Sequence, residues 1–240
     1  MGFKEVMDAA SSGDHSAQNA LGYIYYRGDG VPADPQKAIV WFDLSAEQGD
    51  AEGQCNLGFM LAHGTGCNPN YERAFEMYKL SAEQGYVRAM FNLATAYADG
   101  MGTERSYPEA YKWYSKAAEE GMLIALYRVG VMLEEGKGVD VDLRKAAEIY
   151  EKCQKEGYDK AMYRLGMMHF EGRGVPKNPD KASKLFVRAS EEGNSDAMLQ
   201  LGKMSLSGEG MVKSNTNAVK WLRKAVARGN SEAKRILDTL

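Results

Sequence analysis

Ser231-Glu232-Ala233-Lys234 is the only Ser-x-x-Lys sequence in the chain, and this is the spacing used by serine penicillin-recognising enzymes. Those enzymes also need Ser-Asp-Asn and Lys-Thr-Gly sequences, and the chain contains neither of them. We therefore interpret Ser231 and Lys234 as part of the first turn of a terminal helix. A hydrolase of the β-lactam or cell-wall type remains an alternative function.

Other residue types that could do chemistry are sparse. The segment from Gly130 to Lys137 resembles a phosphate-binding loop, but five residues separate its glycines instead of four and no Ser or Thr follows the lysine. The three histidines lack the i, i+4 spacing of a zinc site, and none pairs with a cysteine at ligand spacing. The sequence therefore predicts no metal, no cofactor and no enzymatic activity. Cys67, in a loop, is the one candidate reactive thiol.

Charge and composition exclude several classes of protein. The 240 residues carry 30 Lys and Arg against 33 Asp and Glu, so the basic footprint of a nucleic-acid-binding protein is missing. No run of about 18 apolar residues occurs, which predicts no membrane insertion. The three cysteines, Cys55, Cys67 and Cys153, are too few and too scattered for a disulfide framework.

Glycine positions reveal an internal repeat. Of the 26 glycines, 24 recur at intervals of 36 residues in four columns that begin at Gly13, Gly22, Gly28 and Gly30. Ala94 fills the single gap, in the Gly22 column. No insertion breaks this register between residues 13 and 229. A fixed period of this size is the signature of a repeat architecture.

Each repeat predicts two helices, which we call helix A and helix B. In the first repeat, residues 15–27 place Leu21 and Tyr25 on one face, and residues 35–47 do the same for Ala38 and Phe42. Residues 3–12 match helix B and residues 231–240 match helix A. The sequence thus predicts an all-α fold with the order B–(A–B)×6–A. We expect one domain over 1–240: a half-repeat at 1–13, repeats at 14–49, 50–85, 86–121, 122–157, 158–193 and 194–229, and a terminal helix at 230–240.

Capping residues mark the predicted helix ends. The residue before each helix B can accept a hydrogen bond from an unpaired backbone N–H group; these residues are Asp34, Asn70, Ser106, Asp142, Asn178 and Ser214. Gly49 and its column fit left-handed C-terminal caps. The Gly28–Gly30 pair is expected to end helix A and shape the loop to helix B.

The repeated pattern resembles the Sel1-like repeat. It runs Leu21-Gly22-x-x-Tyr25-x-x-Gly28-x-Gly30-Val31, then Lys37-Ala38-x-x-Trp41-Phe42-x-x-Ser45-Ala46-Glu47-Gln48-Gly49. The resemblance covers nearly the whole chain and implies a right-handed α/α superhelical solenoid related to the tetratricopeptide repeat. It also implies binding to other proteins, without indicating a particular partner.

Binding residues are expected on helix A, because the resemblance places that helix on the concave side. Three aromatic residues of one column, Phe91, Tyr127 and Tyr163, are expected to form a ladder across successive repeats. Exposed aromatic rings in a groove are typical of partner sites. The alternative is that these rings pack against the next helix A. The predicted apolar contacts are Tyr23, Tyr26, Phe59, Phe91, Tyr127, Tyr163, Met167 and Phe170.

Acidic residues follow the rim of the same face. Asp99, Glu135 and Glu171 occupy one column in three consecutive repeats. Beside the aromatic residues, they favour an extended partner with basic and apolar side chains. The alternative is an ordinary solvated face, because rim charges tune the rate of association more than the affinity.

The sequence therefore predicts a non-catalytic scaffold or adaptor that binds a protein or peptide in the concave groove. Self-assembly into a homo-oligomer through the solenoid ends is the second alternative. Sparse cysteines and the missing signal sequence favour the cytoplasm. A secreted or periplasmic location stays open, because a start in mid-repeat is compatible with a removed leader.

Overall fold

The computed structural model describes residues 2–240, and all regular structure in that range is helical. The helices are α1 (Phe3–Ser11), α2 (His15–Arg27), α3 (Pro35–Glu47), α4 (Ala51–His63), α5 (Tyr71–Glu83), α6 (Val87–Asp99), α7 (Tyr107–Glu119), α8 (Leu123–Glu135), α9 (Leu143–Lys155), α10 (Asp159–Glu171), α11 (Pro179–Glu191), α12 (Ser195–Ser207), α13 (Asn215–Ala227) and α14 (Ser231–Leu237). This confirms the predicted order, in which odd-numbered helices are helix B and even-numbered helices are helix A. Helices α2 and α3 have the predicted bounds.

The chain divides into two compact units. The first ends at Ala125 and the second begins at Leu126. In the first unit, α1 to α7 pack in chain order, each helix against the next, and α2 also contacts α4. In the second unit, α9 to α14 pack in the same way, and α12 also contacts α14. Such neighbour-on-neighbour packing is characteristic of linear repeats. The single domain over 1–240 stays a prediction.

The predicted helix caps are confirmed. All six residues before helix B accept a hydrogen bond from the backbone N–H three residues later, at 2.9 to 3.4 Å. Gly28 ends α2 in the left-handed conformation, with φ of 79°. These local bonds satisfy backbone groups that a helix end leaves unpaired, which fixes each helix boundary.

Small residues let the two helices of a repeat approach closely. A Cβ atom on Gly22 would lie 2.6 Å from the ring of Phe42, and one on Gly166 would lie 2.6 Å from the ring of Phe186. Each glycine therefore makes room for an aromatic ring of helix B. The alanine column that begins at Ala38 and recurs every 36 residues is fully or almost fully buried.

The second glycine of the loop between helix A and helix B joins adjacent repeats. Gly66 has φ of 78°, and a Cβ atom there would collide with the carbonyl oxygen of Pro35 in the preceding repeat. Gly210 repeats this arrangement, since its Cβ atom would lie 2.5 Å from the carbonyl oxygen of Pro179. Gly30, in the first repeat, has open space around the same position. The sequence indicated only a loop-shaping role for this column.

Candidate partner-binding site

A cavity of about 320 Å³ lies on the helix A face of the first unit. Its walls come from three successive helices A and one helix B. They are formed by Tyr23, Tyr26 and Arg27 of α2, Phe42 of α3, Cys55, Asn56, Phe59 and Met60 of α4, and Arg88 and Asn92 of α6. The 36-residue register produces this convergence, because equivalent positions of successive repeats lie side by side.

A chain of hydrogen bonds forms the floor of the cavity. Arg88 Nη1 donates to the Tyr23 hydroxyl at 3.0 Å, and that hydroxyl donates to Asn56 Oδ1 at 2.9 Å. Asn56 Nδ2 in turn donates to Asn19 Oδ1 at 2.8 Å. Both asparagines are buried, so these bonds satisfy amide groups that would otherwise cost free energy. The network links α2, α4 and α6 and fixes the position of the tyrosine hydroxyl.

Exposed aromatic rings form the rim. Tyr26 is 36% exposed and Phe59 is 37% exposed, although both are large hydrophobic residues. Their rings meet edge to face with centroids 6.3 Å apart. The ring of His63 lies 4.1 Å from that of Phe59 and extends the aromatic surface.

Two arginines give the cavity a positive charge. The guanidinium carbon of Arg27 lies 5.9 Å from the centroid of the Tyr23 ring, and Arg88 bonds the hydroxyl of the same residue. Neither arginine forms an ion pair with a carboxylate of residues 2–240. Burial raises the pKa of the Cys55 thiol to about 12, so this cysteine stays protonated and is a poor nucleophile.

The cavity brings together three of the predicted residues, Tyr23, Tyr26 and Phe59. The predicted ladder of rings is less exposed than expected, since Phe91 and Tyr163 are half-buried and Tyr127 is buried, and its role in binding stays a prediction. Each of its members packs against a helix B ring of its own repeat: Phe91 on Tyr114 at 5.3 Å, Tyr127 on Tyr150 at 5.9 Å and Tyr163 on Phe186 at 5.8 Å. Tyr127 is only 8% exposed. The small residue one turn further along helix A opens the space that the helix B ring fills, which draws this column into the core.

Two further predicted contacts also belong to the packing of the second unit. Met167 and Phe170 are partly buried and pack against the hydrophobic cluster of Met162, Phe186 and Leu201. They are therefore not the freely exposed apolar anchors that the sequence predicted.

The acidic rim needs the same correction. Glu135 pairs with Lys137 at 2.8 Å and with Arg164 at 3.3 Å, and Glu171 pairs with Arg173 at 3.4 Å. The basic groups that a partner was expected to supply are thus supplied by the chain itself. Asp99 is exposed and forms no ion pair within the described residues.

Sequence reasoning missed the polar floor. Asn56 and Asn92 belong to a column that also holds Arg128, Arg164 and Gln200. This column is polar from the second repeat onward, although it lies on helices with many apolar residues. The contrast between this polar column and its apolar neighbours is the sequence signal that could have indicated a polar floor. Arg88 carried no periodic signal, because its column holds Ser16, Glu52 and Ile124.

The residues first considered for chemistry do not converge. Ser231 and Lys234 are both exposed on α14. His15 Nδ1 lies 3.0 Å from a carboxylate oxygen of Asp50. Residues 2–240 hold no cluster of three His, Cys, Asp or Glu side chains suited to a metal ion. No helix in the described part of the chain is long and apolar enough to cross a membrane.

Comparison with known proteins identifies the repeat. The Sel1 repeat model matches residues 15–50, 51–86, 87–122, 123–152, 159–194 and 195–230, and each match begins one residue after the predicted boundary. A search of curated proteins gave no match.

Solved structures agree. A Sel1 repeat protein from Oxalobacter formigenes is 32% identical with a TM-score of 0.82, over 91% of this chain and 86% of that protein. The protective antigen c5321 of uropathogenic Escherichia coli, which displays an SLR fold, is 28% identical with a TM-score of 0.79. This chain matches it over 99% of its own length but spans only 58% of c5321. The immunity protein Pa5087 from Pseudomonas aeruginosa, 23% identical with a TM-score of 0.51, shares the fold alone.

Sel1 repeat proteins are generally non-catalytic and commonly mediate interactions between proteins. Six matched repeats, the confirmed helix order and the similar solved structures lead to one conclusion: the chain belongs to the Sel1 repeat family.

Proposed function

We propose that the chain is a non-catalytic scaffold that binds a peptide segment of another protein in the cavity between α2, α4 and α6. The observation that carries this proposal is the meeting of an exposed aromatic rim with a hydrogen-bonded polar floor at one place on the helix A face. Protein-binding hot spots combine such aromatic anchors with fixed polar groups.

The size of the cavity supports a peptide as the occupant. A volume of about 320 Å³ lies at the lower end of the range for small-molecule sites, roughly 300 to 1,000 Å³. It has room for one or two side chains of a segment laid across the helices. The hydrogen bond between Tyr23 and Asn56 already fixes both side chains, so binding loses less side-chain entropy.

Selection from a random peptide library displayed on phage tests the proposal. The wild type is compared with a Tyr26→Ser/Phe59→Ser variant, which removes two exposed rings and should keep the fold. The matched control is Val40→Ser/Leu80→Ser, which removes two exposed apolar side chains from helices B of the same unit. Circular dichroism and thermal denaturation verify that all three proteins are folded.

We expect peptides that are enriched on the wild type, retained by the control and lost by the Tyr26/Phe59 variant. The proposal is wrong if no peptide is enriched, or if the enriched peptides bind the Tyr26/Phe59 variant as well as they bind the wild type.

A further inference from the structure

Arg27 and Arg88 both contact Tyr23, and neither has a carboxylate partner among residues 2–240. Arg27 approaches the ring of Tyr23, and Arg88 bonds its hydroxyl. The cavity lining contains no Asp or Glu. Asp29 follows Arg27 by two residues and Glu83 precedes Arg88 by five, but neither acid forms an ion pair with these arginines among residues 2–240. Glu52 acts electrostatically on Cys55 and likewise pairs with neither arginine within that range.

The second unit contains two arginines that the chain neutralises with its own acids, Arg164 on helix α10 and Arg173 in the loop that follows it. Arg164 lies 3.0 Å from Glu134 and 3.3 Å from Glu135, and Arg173 lies 3.3 Å from Glu134. Tyr150 also donates a hydrogen bond to Glu134 at 2.8 Å. The guanidinium charges of Arg164 and Arg173 are thus neutralised by acids of the chain itself.

The first unit lacks the acid at the equivalent position. The column of Glu134 holds Tyr26, Ala62 and Ala98 in the first three repeats. Asp99 is the rim acid of this unit, but it lies eleven residues beyond Arg88 on the same helix, roughly 16 Å along the axis. The positive charge at the cavity is therefore left for a ligand to neutralise.

We propose that the occupant of this cavity is an acidic peptide segment of another protein. One Asp or Glu side chain binds the guanidinium groups of Arg27 and Arg88, and a neighbouring apolar side chain packs on Tyr26 and Phe59. Guanidinium and carboxylate groups form short, charge-assisted hydrogen bonds with defined geometry, which suits this role. The inference rests on the proposed function and replaces the basic partner that the rim acids had favoured.

Three pools of fluorescein-labelled short peptides test the inference by fluorescence anisotropy. The pools share randomised apolar positions and differ only at a central pair of residues, which is Asp or Glu in the first pool, Asn or Gln in the second and Lys or Arg in the third. Proteins are the wild type, Arg27→Gln, Arg88→Gln, Glu52→Gln and the Tyr26→Ser/Phe59→Ser variant.

We expect the acidic pool to bind the wild type about tenfold more tightly than the amide pool, as a charge-assisted contact implies. Arg27→Gln and Arg88→Gln should each remove most of that preference and leave the amide pool nearly unchanged. Glu52→Gln should change the affinity in the opposite direction and strengthen acidic-pool binding about twofold, because it removes a nearby negative charge. Added salt should weaken the acidic pool selectively.

Two failures are distinguishable. Binding that needs Tyr26 and Phe59 but is equal for the three pools, or strongest for the basic pool, overturns the acidic-peptide inference alone. If no pool binds, or if binding survives in the Tyr26→Ser/Phe59→Ser variant, the proposed function itself is wrong.

Discussion

Two separate features of the structure require glycine at position 66. Its φ of 78° is a left-handed conformation, and a Cβ atom would meet the backbone of Pro35 in the preceding repeat. Gly30 has nearly the same φ, 77°, but open space around it.

Gly30→Ala should therefore cost about 1 kcal/mol of unfolding free energy, from backbone strain alone. Gly66→Ala should cost about 1 to 3 kcal/mol more, because the repeats must move apart. Urea denaturation measures both, and equal losses would show that the contact between repeats is unimportant.

His169 should make the stability of the protein depend on pH. Its side chain is buried, its Nδ1 atom bonds the carbonyl of Pro176 at 3.3 Å, and its Nε2 atom has no partner among the described residues. Burial lowers the pKa of His169 below 6.5, and Lys181 lowers it further, while the Pro176 carbonyl and Glu151 act in the opposite direction.

The sign of the effect follows from these pKa values. Well above pH 6.5 the imidazole of His169 is neutral in both the folded and the unfolded protein, so it does not make the free energy of unfolding depend on pH. As the pH falls below 6.5, the unfolded chain takes up a proton before the folded one, so the free energy of unfolding decreases. His169→Leu, which introduces the residue found at Leu61 and Leu133 of the same column, should remove this loss. Melting temperatures at about pH 7.5 and about pH 5.5 test it; an unchanged pH dependence in the variant would contradict the assignment.

At the scale of the helices, local chemistry fixes the boundaries. Asn70 caps α5 by accepting a hydrogen bond from the N–H of Arg73 at 2.9 Å. Asn70→Ala should lower the free energy of unfolding by about 1 kcal/mol, whereas Asn70→Ser should have a much smaller effect because serine also caps. Ser106 and Ser214 already fill this role in other repeats. Chemical denaturation of both variants checks the prediction, and equal destabilisation by Ala and Ser would argue against a capping role.

Helix positions were predictable from sequence because caps, left-handed glycines and apolar periodicity are all local signals. The exposed face was predicted less well. Periodicity placed Tyr127 on the open side of helix A, but Tyr150 of helix B reaches it across the space left by Gly130. Contacts of this kind depend on the shape of the facing helix, which a single helix pattern does not encode.

At the scale of the whole molecule, the repeat forms the helical framework, and residues that deviate from the repeat form the candidate site. Tyr26 and Phe59 are exposed rings, whereas their columns hold residues as different as Ala62, Glu134 and Lys203 in other repeats. Arg88 stands in a column without a common residue type. The sequence predicted the helical framework well because the same capping residues, glycines and apolar positions recur in every repeat. It predicted the site only in part, because charge pairing is decided by side chains from different helices.

Mapping a bound peptide onto the protein by NMR tests whether the cavity between α2, α4 and α6 is the partner site. The probe is the tightest-binding acidic peptide recovered from the displayed library, titrated into isotope-labelled protein while backbone and side-chain amide signals are followed. We expect the largest shifts at Asn56, Phe59 and Arg88, with the Asn56 side-chain amide among them. Shifts confined to helices B or to the second unit, or no shifts at saturating peptide, would contradict the claim that this cavity is the partner site.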